Sequence, residues 1–85
     1  LLEIVKQGEG WLMLDWKAPA DGGKPAAYEV LRRERDGGTW QSIATAMASE
    51  INLVDQPRGK ELEYTVRAVN KTGPGEESNT VMAVL

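Results

Sequence analysis

The chain has 85 residues, of which 41% are hydrophobic and 27% are charged. This composition fits one small folded domain and excludes a disordered segment. The chain contains neither His nor Cys, which excludes disulfides, thiol catalysis and the commonest zinc ligands. Its net charge of −3 and dispersed Lys and Arg residues do not fit nucleic-acid binding, and no apolar run reaches the ~18 residues of a transmembrane helix.

Regularly spaced Gly and Pro residues divide the chain into short segments in which polar and apolar side chains alternate. We predict strands over residues 2–6, 11–16, 28–33, 39–44, 51–54, 62–69 and 80–85, and no helix of useful length. About seven short strands separated by turn residues are typical of an all-β sandwich or barrel.

One alternating set of side chains in each strand is predicted to face the core. Asp15 marks the polar face of its strand, so the neighbouring apolar set points inward, whereas Leu31 lies on the face opposite to Val30. The predicted structural core consists of Leu12, Leu14, Trp16, Tyr28, Val30, Leu62, Tyr64, Val66 and Ala68.

Two stretches, about 50 residues apart, carry a resemblance to a known family. The first contains Trp16, Pro19, Asp21, Gly22, Gly23 and Pro25, followed by Tyr28, Val30 and Arg33; the second runs from Tyr64 to Gly75 and on to Ser78 and Asn79. Together they resemble the fibronectin type III family. The resemblance implies a seven-stranded immunoglobulin-like β-sandwich that forms a single domain over residues 1–85. Because the chain begins at Leu1 instead of Met, we expect this domain to be excised from a larger multidomain protein.

One position departs from the pattern of that family. The family has a Tyr at the start of its sixth strand whose hydroxyl makes a corner hydrogen bond, and this position is Leu62 here. The family Leu that precedes the corner corresponds to Gln56. We therefore predict no tyrosine corner, with Tyr64 as an ordinary core residue and the preceding bend looser or held by another group.

Two loops are expected at the same end of a family-like sandwich, where recognition residues often lie. The candidate interaction residues in them are Asp21, Gly22, Gly23, Lys71, Thr72, Gly73, Pro74 and Gly75. The chain lacks the Arg-Gly-Asp tripeptide that some family members carry in the second loop. Asn70 begins a glycosylation sequon, but a structural role in the turn is the favoured interpretation.

Trp11 and Trp40 are candidate exposed aromatics for docking or sugar stacking, on different sheets. The favoured alternative is local packing, with Trp11 covering a sheet face and Trp40 lying over neighbouring arginines. Paired carboxylates, such as Asp15 with a Glu on a neighbouring strand, are interpreted as solvated, and Glu76 with Glu77 likewise, so we predict no catalytic, metal-binding or cofactor-binding residues.

We predict a non-catalytic structural spacer or protein-interaction module, monomeric in isolation, whose partners are the flanking domains of its own chain. Another protein is the alternative partner, bound through the loops in adhesion or through strand addition near Trp40. A carbohydrate-binding accessory unit and a sarcomere-type array domain are further alternatives. The family resemblance alone favours an extracellular or cell-surface location.

Overall fold

Antiparallel strands make up the regular secondary structure of residues 1–18 and 25–85, which are the residues that the computed structural model describes. No helix occurs within those two ranges. The strands, in chain order, are β1 (Glu3–Gly8), β2 (Trp11–Asp15), β3 (Ala27–Glu34), β4 (Gln41–Ala46), β5 (Glu50–Leu53), β6 (Glu61–Asn70), β7 (Gly73–Glu77) and β8 (Val81–Val84).

The strands are divided between two sheets. One sheet has the order β1-β2-β5, and the other has the order β4-β3-β6, with β7 and β8 both on the far edge of β6. β8 pairs with the first part of β6, and β7 pairs with the last part. The predicted all-β immunoglobulin-like sandwich is confirmed. It has eight strands instead of seven, because β7 precedes the last strand on the same sheet edge.

The core lies between the two sheets and is built from the inward set of each strand. Eight of the nine predicted core residues are buried. The ninth, Ala68, is half-buried and packs against them. The Trp16 and Tyr28 rings meet edge to face, with centroids 5.3 Å apart. This geometry suits the quadrupoles of the two rings, so it adds to the apolar area that they bury.

Leu31 lies on the outer face of β3, as its alternation predicts, and yet only 6% of it is exposed. Its cross-strand neighbour Thr65 is also buried, at 1% exposure. The pairing of β3 with β4 shifts register between Val30 and Leu31, which is the mark of a β-bulge. This small outer cluster was not predicted, because strand alternation assigns a face but not the depth of burial on it.

β1 and β8 run side by side in the same direction and are connected through side chains. The side-chain amide of Asn79 accepts a hydrogen bond from the Leu2 backbone N–H at 2.8 Å and donates one to the Leu2 carbonyl at 3.0 Å. At the other end, Gln7 donates to the Val84 carbonyl at 3.1 Å. These hydrogen bonds connect β1 at the edge of one sheet to β8 at the edge of the other.

Candidate interaction surfaces

The outer face of β3 and β6 carries charges that are paired across the strands. Glu29 lies opposite Arg67, and Arg33 lies opposite Glu63, in the register of the two strands. Arg67 bonds the Glu29 carboxylate, and Arg33 Nε donates to Glu63 at 2.8 Å. The hydrogen bond from Arg67, followed by one from Ser42, lowers the pKa of Glu29. This face is therefore internally neutralised by ion pairs.

Trp40 lies immediately before β4, rather than within a strand, and covers one of these arginines. The guanidinium carbon of Arg33 is 4.5 Å from the centroid of the indole ring, within the range of a cation–π contact. Trp40 is half-buried. The indole face therefore already has a partner in the same chain.

Trp11 lies in β2 on the other sheet, where it packs against β1. Gly8 is its cross-strand neighbour, and a Cβ atom at Gly8 would lie 2.3 Å from the indole Nε1 of Trp11. A side chain at Gly8 would thus displace the ring, so the glycine is what lets Trp11 lie flat on the strand. Trp11 and Trp40 do not form one aromatic platform.

The predicted second loop is largely a strand. β6 continues to Asn70, and the chain then turns back into β7, which begins at Gly73. The prediction of a loop through Gly73, Pro74 and Gly75 is therefore wrong. Asn70 Oδ1 accepts hydrogen bonds from the Thr72 N–H at 3.3 Å and from its hydroxyl at 2.8 Å. Gly73 adopts a φ of 115°, which glycine allows without strain. Only the exposed turn at Lys71 and Thr72 remains as a loop.

The first predicted loop falls mostly in the gap between the described ranges. Asp21, Gly22 and Gly23 lie outside the described residues, and so does Pro19.

A polar network that the sequence did not reveal lies before β6. Gln56 Oε1 accepts hydrogen bonds from the Tyr64 hydroxyl at 2.7 Å and from Arg32 Nη1 at 2.8 Å. Gln56 also donates from Nε2 to the Val54 carbonyl and from its backbone N–H to the Gly10 carbonyl. The sign of this network in the sequence was Gln56 itself, a polar residue at the position where the family has Leu. Burial raises the pKa of Tyr64 to about 12.

Three carboxylates form a row across the outer face of the three-stranded sheet. Asp15 pairs in register with Glu3 on one side and with Glu50 on the other, and all three are exposed. Within residues 1–18 and 25–85, no group of three or more His, Cys, Asp or Glu residues is arranged to hold a metal ion. No helix in the same ranges could span a membrane.

Comparisons with known proteins agree with this architecture. The model of the fibronectin type III domain family matches residues 1–84. Human myomesin-2 is 37% identical over 78 residues, which cover 87% of this chain and 5% of myomesin-2. The chain therefore spans a small fraction of this relative.

Solved structures show the same fold. The twitchin kinase region from C. elegans has a TM-score of 0.90 at 24% identity, over 98% of this chain and 15% of that one. Titin kinase with its flanking domains has a TM-score of 0.88 at 19% identity, over 98% of this chain and 16% of that one. Since the family model matches nearly every residue and a relative exceeds 30% identity, the chain belongs to the fibronectin type III domain family.

Proposed function

We propose that the domain is a non-catalytic structural module that holds neighbouring parts of a larger protein at a fixed separation. The observation that carries this proposal is the path of the chain through the sandwich. Leu2 is bound at the end of the domain where β1 begins, and the Leu85 carbonyl accepts a hydrogen bond from Gly59 at the opposite end. The domain is 38 Å along its longest axis.

The multidomain setting of similar proteins supports this role. The chain matches 15% of the twitchin kinase region and 30% of a titin chain made of domains A168–A170. In such chains a sandwich of this shape has neighbours along the polypeptide. A module whose two ends lie at opposite poles would set the distance between the neighbours attached to those ends.

The chemistry of the surface supports a role without catalysis. The sequence offers no His or Cys to activate a nucleophile. The charges on the outer face of β3 and β6 bond to each other, as Glu29 with Arg67 and Arg33 with Glu63. Paired, hydrogen-bonded charges of this kind stabilise a sheet face and leave few groups poised for acid–base chemistry.

A domain replacement tests the spacer role in the full-length parent protein. The domain is exchanged for an unrelated β-sandwich of equal length in one variant and deleted in another. We expect the exchange to preserve the functions of the parent and the deletion to impair those that depend on spacing. Loss of a binding partner on exchange would contradict the spacer role.

A protein-binding module is the second candidate. The observations that favour it are the exposed turn at Lys71 and Thr72, and the position of β4 at the edge of its sheet beside Trp40. An edge strand offers unpaired backbone groups to an incoming strand. Replacing only Lys71 and Thr72 by Gly and Ser tests the turn, because wider replacement would remove β7. Unchanged binding by the parent protein would exclude recognition by this turn.

Carbohydrate binding has less support. Trp11 lies against Gly8, and Trp40 lies over Arg33. Each indole ring is therefore already in contact with a residue of the same chain, which leaves less of the ring for stacking on a sugar. We expect no quenching of tryptophan fluorescence by soluble glycans at millimolar concentration. Saturable quenching that disappears in Trp40→Ala or Trp11→Ala would restore this alternative.

A further inference from the structure

The five arginines of the chain do not share the same kind of partner. Four bond to carboxylates: Arg33 to Glu63, Arg35 to Glu61, Arg58 to Glu9 and Arg67 to Glu29. Arg32 makes no ion pair with any carboxylate in the ranges that the structure describes, and its hydrogen bond goes to the amide oxygen of Gln56. A half-buried guanidinium without a counterion is costly, so this position favours an anion from outside.

The two groups that Arg32 contacts through its hydrogen-bond network are uncharged. Its cross-strand neighbour in β6 is Tyr64, whose hydroxyl bonds the same Gln56 oxygen at 2.7 Å. Burial raises the pKa of Tyr64 to about 12, so this phenol is neutral at physiological pH. Arg32, Gln56 and Tyr64 therefore form a network whose formal charge is +1.

Arg32 lines a cleft of about 350 Å³ beneath the hairpin of β3 and β4. The cleft wall also includes the cations Arg33 and Lys60, the carboxylate of Glu34, and the polar side chains of Thr39 and Gln41. Arg33 is paired with Glu63, and Lys60 with Glu34. Arg32 is therefore the cation of this wall that has no carboxylate partner among the described residues, and it leaves a formal excess of one positive charge on a chain whose net charge is −3. The cleft is thus a local positive site on an acidic domain.

The ion pair of Lys60 and Glu34 in the cleft wall lies at the surface of the domain. Lys60 bonds Glu34 at 3.0 Å, and both side chains are more than half exposed, so this pair contributes little to stability. The contacts of Arg33 with Trp40 and Glu63 fix the orientation of its guanidinium plane. An anion that enters the cleft would meet the guanidinium of Arg32, which has no carboxylate partner among the described residues, and the ammonium group of Lys60, which is paired only with the exposed Glu34.

We propose that this cleft binds an oxyanion, a carboxylate or phosphate group on a side chain of a partner protein, with Arg32 as its principal contact. The planar fork of a guanidinium matches both groups and makes charge-assisted hydrogen bonds to them. Thr39 and Gln41 supply further donors at the rim. This site is independent of the proposed spacer role, and its presence or absence leaves that role unaffected.

The test is an NMR titration of the ¹⁵N-labelled chain with inorganic phosphate and, separately, with acetate, each balanced with chloride at constant ionic strength. We expect saturable shifts of the amide signals of Gly38, Thr39 and Gln41 and of the Arg32 Nε–H signal. Saturation by either probe supports the site, and the probe that binds more tightly identifies whether the partner group is a phosphate or a carboxylate. Saturation by neither probe, or shifts spread evenly over the surface, overturns it.

Variants assign the binding to this cleft. Arg32→Gln should weaken binding by about tenfold or more, because it removes the charge and the fork. Arg58→Gln is the matched control, since it removes one arginine charge outside the cleft and should leave binding unchanged. If Arg32→Gln fails to fold, Arg32→Lys and Lys60→Gln carry the test, and each should weaken binding. Equal affinities in wild type and all folded cleft variants would also overturn the proposal.

Discussion

The hydroxyl of Tyr64 lies 2.7 Å from the side-chain oxygen of Gln56, eight residues earlier in the chain. This bond ties the buried start of β6 to the segment that leads into it. Gln56 in turn is anchored to the Gly10 carbonyl through its backbone N–H, at 2.8 Å. A side-chain amide therefore does for this bend what a corner tyrosine hydroxyl would do at the position of Leu62.

Replacing Gln56 tests this network. Gln56→Ala leaves the Tyr64 hydroxyl and the Arg32 guanidinium without their shared acceptor, so the free energy of unfolding should fall by about 1–3 kcal/mol. Urea denaturation measures this change. Asn52→Ala, on the exposed face of β5, is the control and should change stability by less than ~0.5 kcal/mol. A cycle with Tyr64→Phe should show coupling, and simple additivity of the two changes would contradict a direct bond.

Alkaline pH should destabilise the domain through Tyr64. Burial raises the pKa of Tyr64 in the fold to about 12 from its ordinary value of 10.0, so the phenol ionises at a lower pH in the unfolded chain than in the folded one. The stabilisation is complete below pH ~10 and is lost as the pH rises toward ~12, for a total of about 2–3 kcal/mol. Urea denaturation between pH 8 and 11 should show a steeper decline for wild type than for Tyr64→Phe. Parallel declines would exclude this cause.

Trp16 is expected to be essential for folding. It is 5% exposed and meets Tyr28 edge to face, so Trp16→Ala should cost roughly 3–5 kcal/mol, which can exceed the stability of so small a domain. Its indole nitrogen has no hydrogen-bond partner among the described residues, so Trp16→Phe loses packing but no such bond. Circular dichroism melts should show no cooperative transition for Trp16→Ala and a lowered one for Trp16→Phe. A Trp16→Ala melt near the wild-type temperature would refute this.

Acid should weaken the pair of Glu29 and Arg67. The pKa of Glu29 is lowered in the fold, chiefly by the hydrogen bond from Arg67, so its stabilisation is present above the unfolded pKa. It is lost as the pH falls through the folded pKa. Glu29→Gln should therefore lose less stability than wild type over this acidic range in urea denaturation. Glu76→Gln, at an exposed position of β7, should follow the wild-type curve; identical curves for all three proteins would contradict the prediction.

The sandwich was predictable because its strands alternate cleanly between polar and apolar residues. Leu12 and Leu14 flank Met13, and Leu62, Tyr64 and Val66 share one face of β6. Such a pattern assigns the inner face of each strand before any pairing is known. The family motif then orders the strands, and burial of the inward set agrees with that order.

The pairing of β7 was not predictable in the same way. Its sequence contains Gly73, Pro74 and Gly75, which ordinarily mark a loop, and it has no alternating apolar set. Its pairing comes from the length of β6, which continues past the core and offers a free edge. β7 follows β6 after the turn at Lys71 and Thr72, and its pairing rests on backbone hydrogen bonds without an apolar face, so side-chain alternation does not reveal it.

The polar network escaped prediction because one of its members comes from a strand that is distant in sequence. Arg32 precedes Gln56 by 24 residues, and each of the three residues has an ordinary explanation on its own. Only the register of β3 against β6 brings Arg32 beside Tyr64. The cleft that Arg32 lines could thus be found only after the sheet was assembled.

The side-chain links between β1 and β8 have a mechanical consequence. Because the two strands run in parallel and the chain leaves at opposite poles, tension on the ends would load them in shear. The described contacts between these strands that resist sliding are the bonds of Asn79 to Leu2 and of Gln7 to Val84. If their rupture under tension is followed by unfolding, a domain 38 Å long extends toward roughly 290 Å of unfolded chain.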